Sequence, residues 1–281
     1  MPDWLNSSNL VAAAAFTALV ASQFPPFLPR IVGHFRPPSV SVSTSDSFGL
    51  THHLGRFYIL AHARLENRSV VPITVGHIEC VIQKVEKTAD SQKPIQWRMP
   101  ARQYVSLNPV APGYGPTSLF IGTIHLDSGS AWQEVVQCYG HRGEEREERA
   151  IEIVSKFQSA AREELQRRSS EGDSQQMPIE FDQGLVTEAQ TFARESLDLT
   201  KGEYFLFLSA FSSEGKVIGA SKYRFVLYES SISALVALFN DYSLGLGILG
   251  AHYLRQAIIE PRLQEVTRGK AAIRDFRTAI A

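Results

Sequence analysis

Two cysteines and two histidines have the spacing of zinc ligands. His77 and Cys80 form an H-x-x-C pair, and Cys138 and His141 form a mirrored C-x-x-H pair. Thiolate and imidazole are the ligands that tetrahedral zinc prefers. His77 and Cys80, however, lie in a strand-like run, where side chains three positions apart point to opposite faces. We therefore predict no metal site and no cofactor, and a zinc-dependent enzyme or zinc-stabilised domain is the less favoured alternative.

The same two cysteines could instead form a disulfide. Cys80 and Cys138 are 58 residues apart with Trp97 between them, which matches the inter-sheet bridge of immunoglobulin domains. The tyrosine expected two residues before the second cysteine is replaced by Val136. Because the cytoplasm keeps thiols reduced, a cytoplasmic body predicts two buried free thiols, whereas a secreted or periplasmic body predicts the bridge.

No motif of a known catalytic or nucleotide site is convincing. The segment from Gly245 to Gly250 matches G-x-G-x-x-G, but a dinucleotide site needs a strand before the first glycine, and residues 240–244 read Asn-Asp-Tyr-Ser-Leu. We interpret these glycines as a turn or a helix crossing. The sequence contains no G-x-S-x-G elbow, P-loop or H-E-x-x-H motif.

Composition restricts the class of protein. The chain has 281 residues, of which 44% are hydrophobic, and a formal net charge of -1. Proteins that bind nucleic acids carry clustered positive charge, so this balance argues against a nucleic-acid partner. Two cysteines are too few for a disulfide scaffold.

An uncharged stretch from Trp4 to Pro29 predicts a membrane anchor. A spanning helix needs about 17–25 residues, and Leu10 to Leu28 supplies 19. Arginines follow this segment and none precedes it, which favours an N-out, C-in orientation after a short tail of residues 1–9. A cleaved signal peptide and a buried helix remain alternatives. The anchor side chains of this prediction are Leu10, Phe16, Leu19, Phe24 and Phe27.

The body of the chain alternates between apolar and polar residues as half-buried strands do. Phe57 to Leu65 is the longest such run, and residues 203–211 and 222–228 flank a turn at Ser213 to Lys216. Gly76 falls inside another run and predicts a bulge. Together these runs predict a mainly β fold with helical additions, whose antiparallel sandwich covers residues 38–140 with 200–229.

Two segments of the body also resemble a known group of proteins. One begins Leu65-Glu-Asn-Arg-Ser-Val-Val-Pro-Ile73, and the other begins Lys201-Gly-Glu-Tyr-Phe-Leu206. With the apolar anchor and the Pro/Arg junction, they are similar to bacterial membrane-anchored proteins of unassigned role that carry an immunoglobulin-like β-sandwich. In that group an Asn and a Pro mark the turn after the first long strand, which implies that Asn67 and Pro72 form it here. The resemblance covers residues 10–85 and 200–229 and implies a topology but no activity.

A charged helix is predicted between the strands, over residues 143–170. Glu144 to Arg168 contains seven Glu and six Lys or Arg around one narrow apolar stripe. The helix could lie against the sheet, or it could be an arm that binds a partner protein. The stripe consists of Ala150, Val154, Phe157, Ala161 and Leu165.

The C-terminal region, residues 231–281, is predicted to be helical. Asn240 and Asp241 argue against a second membrane span, so we expect two short helices and then a helix from Pro261. One side of that last helix is basic and could contact an anionic membrane or a partner, while docking on the sandwich is the alternative. The basic residues are Arg262, Arg268, Lys270, Arg274 and Arg277.

The resulting hypothesis is a single-pass protein of the cell membrane with its body in the cytoplasm. It would act as a binding or scaffolding module, with membrane lipid as one partner and a protein bound through the inserted helix or the sandwich as another. A secreted or periplasmic domain with one disulfide is the alternative from a different class. An enzyme is less favoured because the sequence shows no catalytic constellation.

Overall fold

The protein is described from a computed structural model that covers residues 39–85, 96–106, 117–140, 143–171, 179–249 and 258–280. Its strands are β1 (Val40–Ser43), β2 (Gly49–His53), β3 (Arg56–Asn67), β4 (Ile73–Lys84), β5 (Gln96–Ser106), β6 (Thr117–Phe120), β7 (Ile124–Leu126), β8 (Ala131–Tyr139), β9 (Gly202–Ser212), β10 (Val217–Leu227) and β11 (Gln264–Arg268). Its helices are α1 (Glu144–Ser170), α2 (Gln183–Ser196), α3 (Glu229–Ala237), a 3-10 helix (Leu238–Leu244) and α4 (Lys270–Ile280).

The strands form one antiparallel sheet that folds over itself at β5. Hydrogen bonding connects them in the order β1-β3-β8-β5-β4-β9-β10-β11, with β2 beside β3, β6 beside β5 and β7 beside β4. The first half of β5 pairs with β4 and the second half pairs with β8, with a register shift between Ala101 and Gln103. The prediction of a mainly antiparallel β fold with helical additions is therefore confirmed.

The fold at β5 produces two facing layers that share one core. We call β1, β2, β3, β8, β6 and the end of β5 the first layer, and β4, β7, β9, β10, β11 and the start of β5 the second. Aromatic contacts cross between them: Phe48 meets Phe225 at 5.0 Å between ring centroids, and Phe57 meets Trp97 at 5.5 Å. The alternation predicted for β3 holds, because every second residue from Phe57 to Leu65 is buried.

Two glycines allow close approach of the backbone, Gly76 within the second layer and Gly219 between the layers. At Gly76 the pairing of β4 with β9 shifts register between Val75 and His77, which confirms the predicted bulge. At Gly219 a Cβ atom would lie 2.2 Å from the carbonyl oxygen of Val40. No side chain fits there, so β1 of the first layer runs directly against β10 of the second.

The helices between the strands form a separate lobe with its own core. We call α1, α2 and the 3-10 helix the helical lobe. Its buried side chains come from all three helices and the segments beside them, and Leu54 at the β2–β3 turn joins them from the strands. The lobe core contains Leu54, Ala150, Ile153, Phe157, Phe181, Val186, Ala189, Ala193, Phe239, Tyr242 and Ile248.

The inserted helix was located correctly, but its surroundings differ from the prediction. α1 packs on α2 rather than lying along the sheet, and its buried residues are Ala150, Ile153 and Phe157. Leu165, which the predicted stripe placed inward, is 57% exposed. Leu165 therefore lies outside the lobe core.

The last helix begins later than predicted. Residues 264–268 form the edge strand β11, paired with β10, and the helix starts at Lys270 after Gly269, whose φ is 66°. The prediction of a helix from Pro261 was wrong because tertiary pairing with β10 overrode the helical periodicity of this segment. α4 then lies on the outer face of the second layer, where Phe276 contacts Phe207 and Phe211.

The predicted anchor lies outside the described residues. It comprises residues 10–28, with the side chains Leu10, Phe16, Leu19, Phe24 and Phe27. Within the described ranges, no helix combines the length and apolar character needed to cross a membrane.

Candidate functional site

The two cysteines meet at the centre of the core. Cys80 of β4 donates a hydrogen bond to Cys138 of β8 across the two layers, with the sulfur atoms 3.1 Å apart, and both thiols are free and buried. The prediction of two buried free thiols thus agrees with the structure. Burial raises the pKa of the Cys138 thiol well above its ordinary value. Because the thiolate is the metal ligand and the nucleophile, neither role suits this site.

The two members of the first predicted zinc pair, His77 and Cys80, lie on opposite faces of β4. Cys80 faces the core, whereas His77 lies on the outer face of the second layer and stacks on Phe211 with ring centroids 4.2 Å apart. Burial lowers the pKa of His77, which keeps the ring neutral. His141 lies outside the described residues, and within them no group of three or more His, Cys, Asp or Glu could hold a metal ion.

Next to His77, β4 carries a buried carboxylate, Glu79, which pairs with the half-exposed Arg98 of β5. The Glu79 side chain is only 5% exposed and accepts two hydrogen bonds from Arg98 of β5, at 2.6 Å from Nε and 3.0 Å from Nη2. Such a bidentate pair fixes the orientation of the guanidinium group. The Arg98 side chain lies on the same face of the second layer as Glu79 and is half-exposed.

A cavity of 230 Å³ lies between the strands and the helical lobe. The β2–β3 turn forms one side of it, and Gly55 in that turn touches the end of α2 at Ala193 and Ser196. Arginines from three elements line it: Arg56 from β3, Arg98 from β5 and Arg146 from α1. Asp198 is the single carboxylate in the wall. Each arginine has an acidic partner, since Arg56 pairs with Glu147, Arg98 with Glu79 and Arg146 with Asp198.

These arginines were not predicted as site residues from the sequence. Arg56, Arg98 and Arg146 are far apart in the chain and belong to no motif, and β5 and the register that positions Arg98 were not predicted. One available signal was Trp97 next to Arg98, since an aromatic and a cationic residue side by side on a strand place one group in the core and the other outside it.

The predicted basic residues of the C-terminal region are all exposed. Arg262 precedes β11, Arg268 ends it, and the others lie on the side of α4 that faces away from the sheet. Two of the set have acidic partners, because Arg268 pairs with Glu265 and Arg274 lies 4.0 Å from Asp275. The apolar side of α4 is covered by the second layer, so only its basic side is available to a partner. The set is Arg262, Arg268, Lys270, Arg274 and Arg277.

The glycine-rich segment forms a turn, as predicted, whereas helix α2 was not predicted. Gly245 and Gly247 have positive φ values and terminate the 3-10 helix, as expected of a turn rather than a nucleotide site. Helix α2 was missed, although Asp182 caps it through hydrogen bonds from the backbone N–H groups of Gly184 and Leu185, which is a recognisable start signal.

No protein-family model matches this chain, and no curated protein does either.

Proposed function

We propose that this chain is a single-pass membrane protein whose cytoplasmic body, an immunoglobulin-like sandwich with a helical lobe, is a binding or scaffolding module. The observation that carries the proposal is the position of the exposed basic side of α4, beside the point where the residues before Ser39 join β1. An uncharged segment long enough to span a bilayer precedes that point in the sequence.

Two backbone contacts support this placement. The start of β1 lies against β10 at Gly219, and the N–H of Gly269 donates to the carbonyl oxygen of Ala220 at 2.9 Å. Val40 at the start of β1 and Gly269 just before α4 therefore contact adjacent residues of β10, Gly219 and Ala220. A helix that leaves the bilayer at residue 28 would reach the body within 11 residues and would hold this basic side near the membrane surface.

Charge supports a membrane partner for this side of the molecule. Each Lys or Arg near an anionic leaflet contributes about 1 kcal/mol of attraction, and the effect fades within a Debye length. Because the apolar side of α4 is already packed on Phe207 and Phe211, the contact would be electrostatic and would not insert the helix. The surface of α1 around the exposed Leu165 is the one we assign to a protein partner.

Fractionation tests the membrane assignment. We expect the full chain to stay in the membrane pellet after an alkaline carbonate wash, and a chain lacking residues 1–29 to be released by high salt. Release of the full chain by carbonate would contradict the anchor. Cleavage of the body in sealed, right-side-out cells by an external protease would contradict its cytoplasmic location.

One observation favours a second candidate, a secreted or periplasmic sandwich domain with a disulfide. The 3.1 Å separation of the Cys80 and Cys138 sulfur atoms places the two thiols within a small movement of a bond between the layers.

Thiol labelling separates the two candidates. Protein isolated under trapping conditions and then denatured should react with an alkylating reagent at both cysteines, without prior reduction, if the body is cytoplasmic. Labelling only after reduction would support the second candidate instead. A Cys80→Ser variant is the control, because it leaves one thiol that must label in either case.

A further inference from the structure

A strand position beside the end of β10 is empty. β10 and β11 pair as far as Arg224, which lies opposite Gln264. The next rung of this antiparallel ladder would place Arg262 beside Val226, but Arg262 forms a bridge with Ser47 of the first layer instead. The chain thus leaves β10 one rung too early, and among the described residues no strand lies beside Val226 on that side.

The backbone N–H and C=O groups of Val226 point to this empty position. Along a strand, these groups of alternate residues point to the same side. The carbonyl oxygen of Ala220, which precedes Val226 by an even number of residues in unbroken register with β9, accepts from Gly269 on the β11 side at 2.9 Å. On the other side, Glu203 lies opposite Val226 but directs its carbonyl oxygen away from β10, to the N–H of Val85 at 2.9 Å. Val226 therefore offers one donor and one acceptor to an added strand.

A groove of 560 Å³ occupies the empty position. The end of β10 and Tyr228 form one wall, and residues 259–264 form the other. The volume lies within the usual range for binding sites, about 300–1,000 Å³. Several exposed large apolar side chains line or flank the two walls. They are Val226, Tyr228, Ile258 and Val266.

We propose that this groove binds an extended, mainly apolar peptide segment of a partner protein, which adds a strand to β10 at Val226. In this mode of recognition, main-chain hydrogen bonds supply affinity and the side chains beside them supply specificity. A β-branched or aromatic residue opposite Val226 would contact its exposed side chain. The inference rests on the binding role in the proposed function and names the kind of partner, but it does not depend on the membrane location of the chain.

Fluorescence anisotropy of a labelled peptide, titrated with the full chain in mild detergent, tests the proposal. The probe is fluorescein-labelled Thr-Val-Thr-Val-Thr amide, whose β-branched residues favour an extended conformation. We expect saturable binding with a Kd on the order of 0.1 mM. The same peptide N-methylated at every residue keeps its side chains but cannot donate backbone hydrogen bonds, and it should bind at least about tenfold more weakly.

Two substitutions at Val226 separate the backbone contact from the side chain. Val226→Pro removes the N–H that faces the groove and should weaken peptide binding at least about tenfold. Proline is tolerated at a strand edge where the N–H has no partner in the sheet, so this variant should fold. Val226→Thr keeps the N–H and the β-branched shape and should change the affinity by less than about threefold. Urea unfolding checks both variants, and the comparison of the two peptides on the unaltered chain needs neither.

Three results would overturn strand addition at Val226. They are the absence of saturable binding by the probe, equal binding of the N-methylated peptide, and equal affinities of Val226→Pro and Val226→Thr. Concentration-dependent dimerisation of the full chain that Val226→Pro abolishes would instead assign the groove to a second copy of this chain. Peptide binding seen only in a chain lacking residues 1–29 would assign it to the chain's own N-terminal segment.

The failure of this proposal is distinguishable from the failure of the membrane assignment. A chain that carbonate releases from the membrane but that still binds the peptide through Val226 would contradict the anchor alone. A chain that stays in the membrane pellet but does not bind the peptide would contradict the groove alone.

Discussion

Replacing Asn67 with aspartate should destabilise the fold by about 3–5 kcal/mol, the cost of a buried charge without a partner. Asn67 is completely buried at the end of β3. Its amide nitrogen donates to three backbone carbonyls, those of Val71 at 2.8 Å, Leu126 at 3.0 Å and Asp127 at 3.1 Å. The substitution keeps the shape of the side chain but turns a carboxylate oxygen towards these three acceptors.

The size of the effect follows from the two turns that Asn67 joins. Its side-chain oxygen also accepts hydrogen bonds from the N–H and the hydroxyl of Ser69 in the β3–β4 turn. The same side chain therefore links the β3–β4 turn to the β7–β8 turn, and backbone hydrogen bonds join Asn67 to the second turn as well. Replacing a buried amide whose hydrogen bonds are all made is costly, because several partners lose a hydrogen bond at the same time. The resemblance had implied a turn at this asparagine, and the structure places one there.

Urea unfolding of the full chain in mild detergent measures this effect. Asn240→Asp, the same change at an exposed position, is the control and should alter stability by less than about 0.5 kcal/mol. Protonation removes the introduced charge and restores one donor, so the loss in Asn67→Asp should be smaller near pH 4 than near pH 7. Equal losses in both variants would mean that the amide network does not hold the turns.

Replacing Gly55 with alanine should cost about 3 kcal/mol and loosen the contact between the strands and the helical lobe. Gly55 has a φ of 78°, which L residues avoid, and a Cβ there would lie 2.2 Å from the carbonyl oxygen of Ala193 and 2.7 Å from the Cβ of Ser196. The turn would have to move away from the end of α2. Leu54, the neighbouring residue in the lobe core, would move with it.

Gly215→Ala separates the two causes of this loss. Gly215 has a φ of 76° in the β9–β10 turn, but a Cβ there would meet nothing within 4 Å. Its variant should therefore show only the backbone cost, about 1 kcal/mol. The difference between the two variants in urea unfolding is the cost of the clash. A difference close to zero would show that the turn and α2 are not tightly packed.

Local sequence patterns were sufficient to predict the strands and the helix that have one buried face. β3 alternates because one side faces the core, and the β9–β10 hairpin is marked by Gly215 between two apolar runs. The charged helix was located to within a residue, as Glu144–Ser170. In each case the burial of side chains repeats with the period of the strand or helix, so the order of apolar and polar residues in the sequence indicates the element.

Other elements depend on partners that are distant in the chain. β5 changes layers halfway along, so it has no single buried face and its residues do not alternate, and Pro100 interrupts the run. Residues 264–268 form the strand β11 because they pair with the edge strand β10. Leu165 belongs to an apolar stripe on α1 but lies outside the lobe core, where nothing among the described residues buries it.

From its sequence alone, this protein is a mainly β chain with an inserted charged helix, two cysteines in strand-like runs and an exposed basic C-terminal region. Those properties depend on residue type and spacing within single segments. The meeting of Cys80 with Cys138, and of Arg56, Arg98 and Arg146 around one cavity, depends on how the sheet folds over at β5 and where the helical lobe attaches. Such contacts join residues far apart in the chain, and their geometry follows from packing that no local pattern encodes.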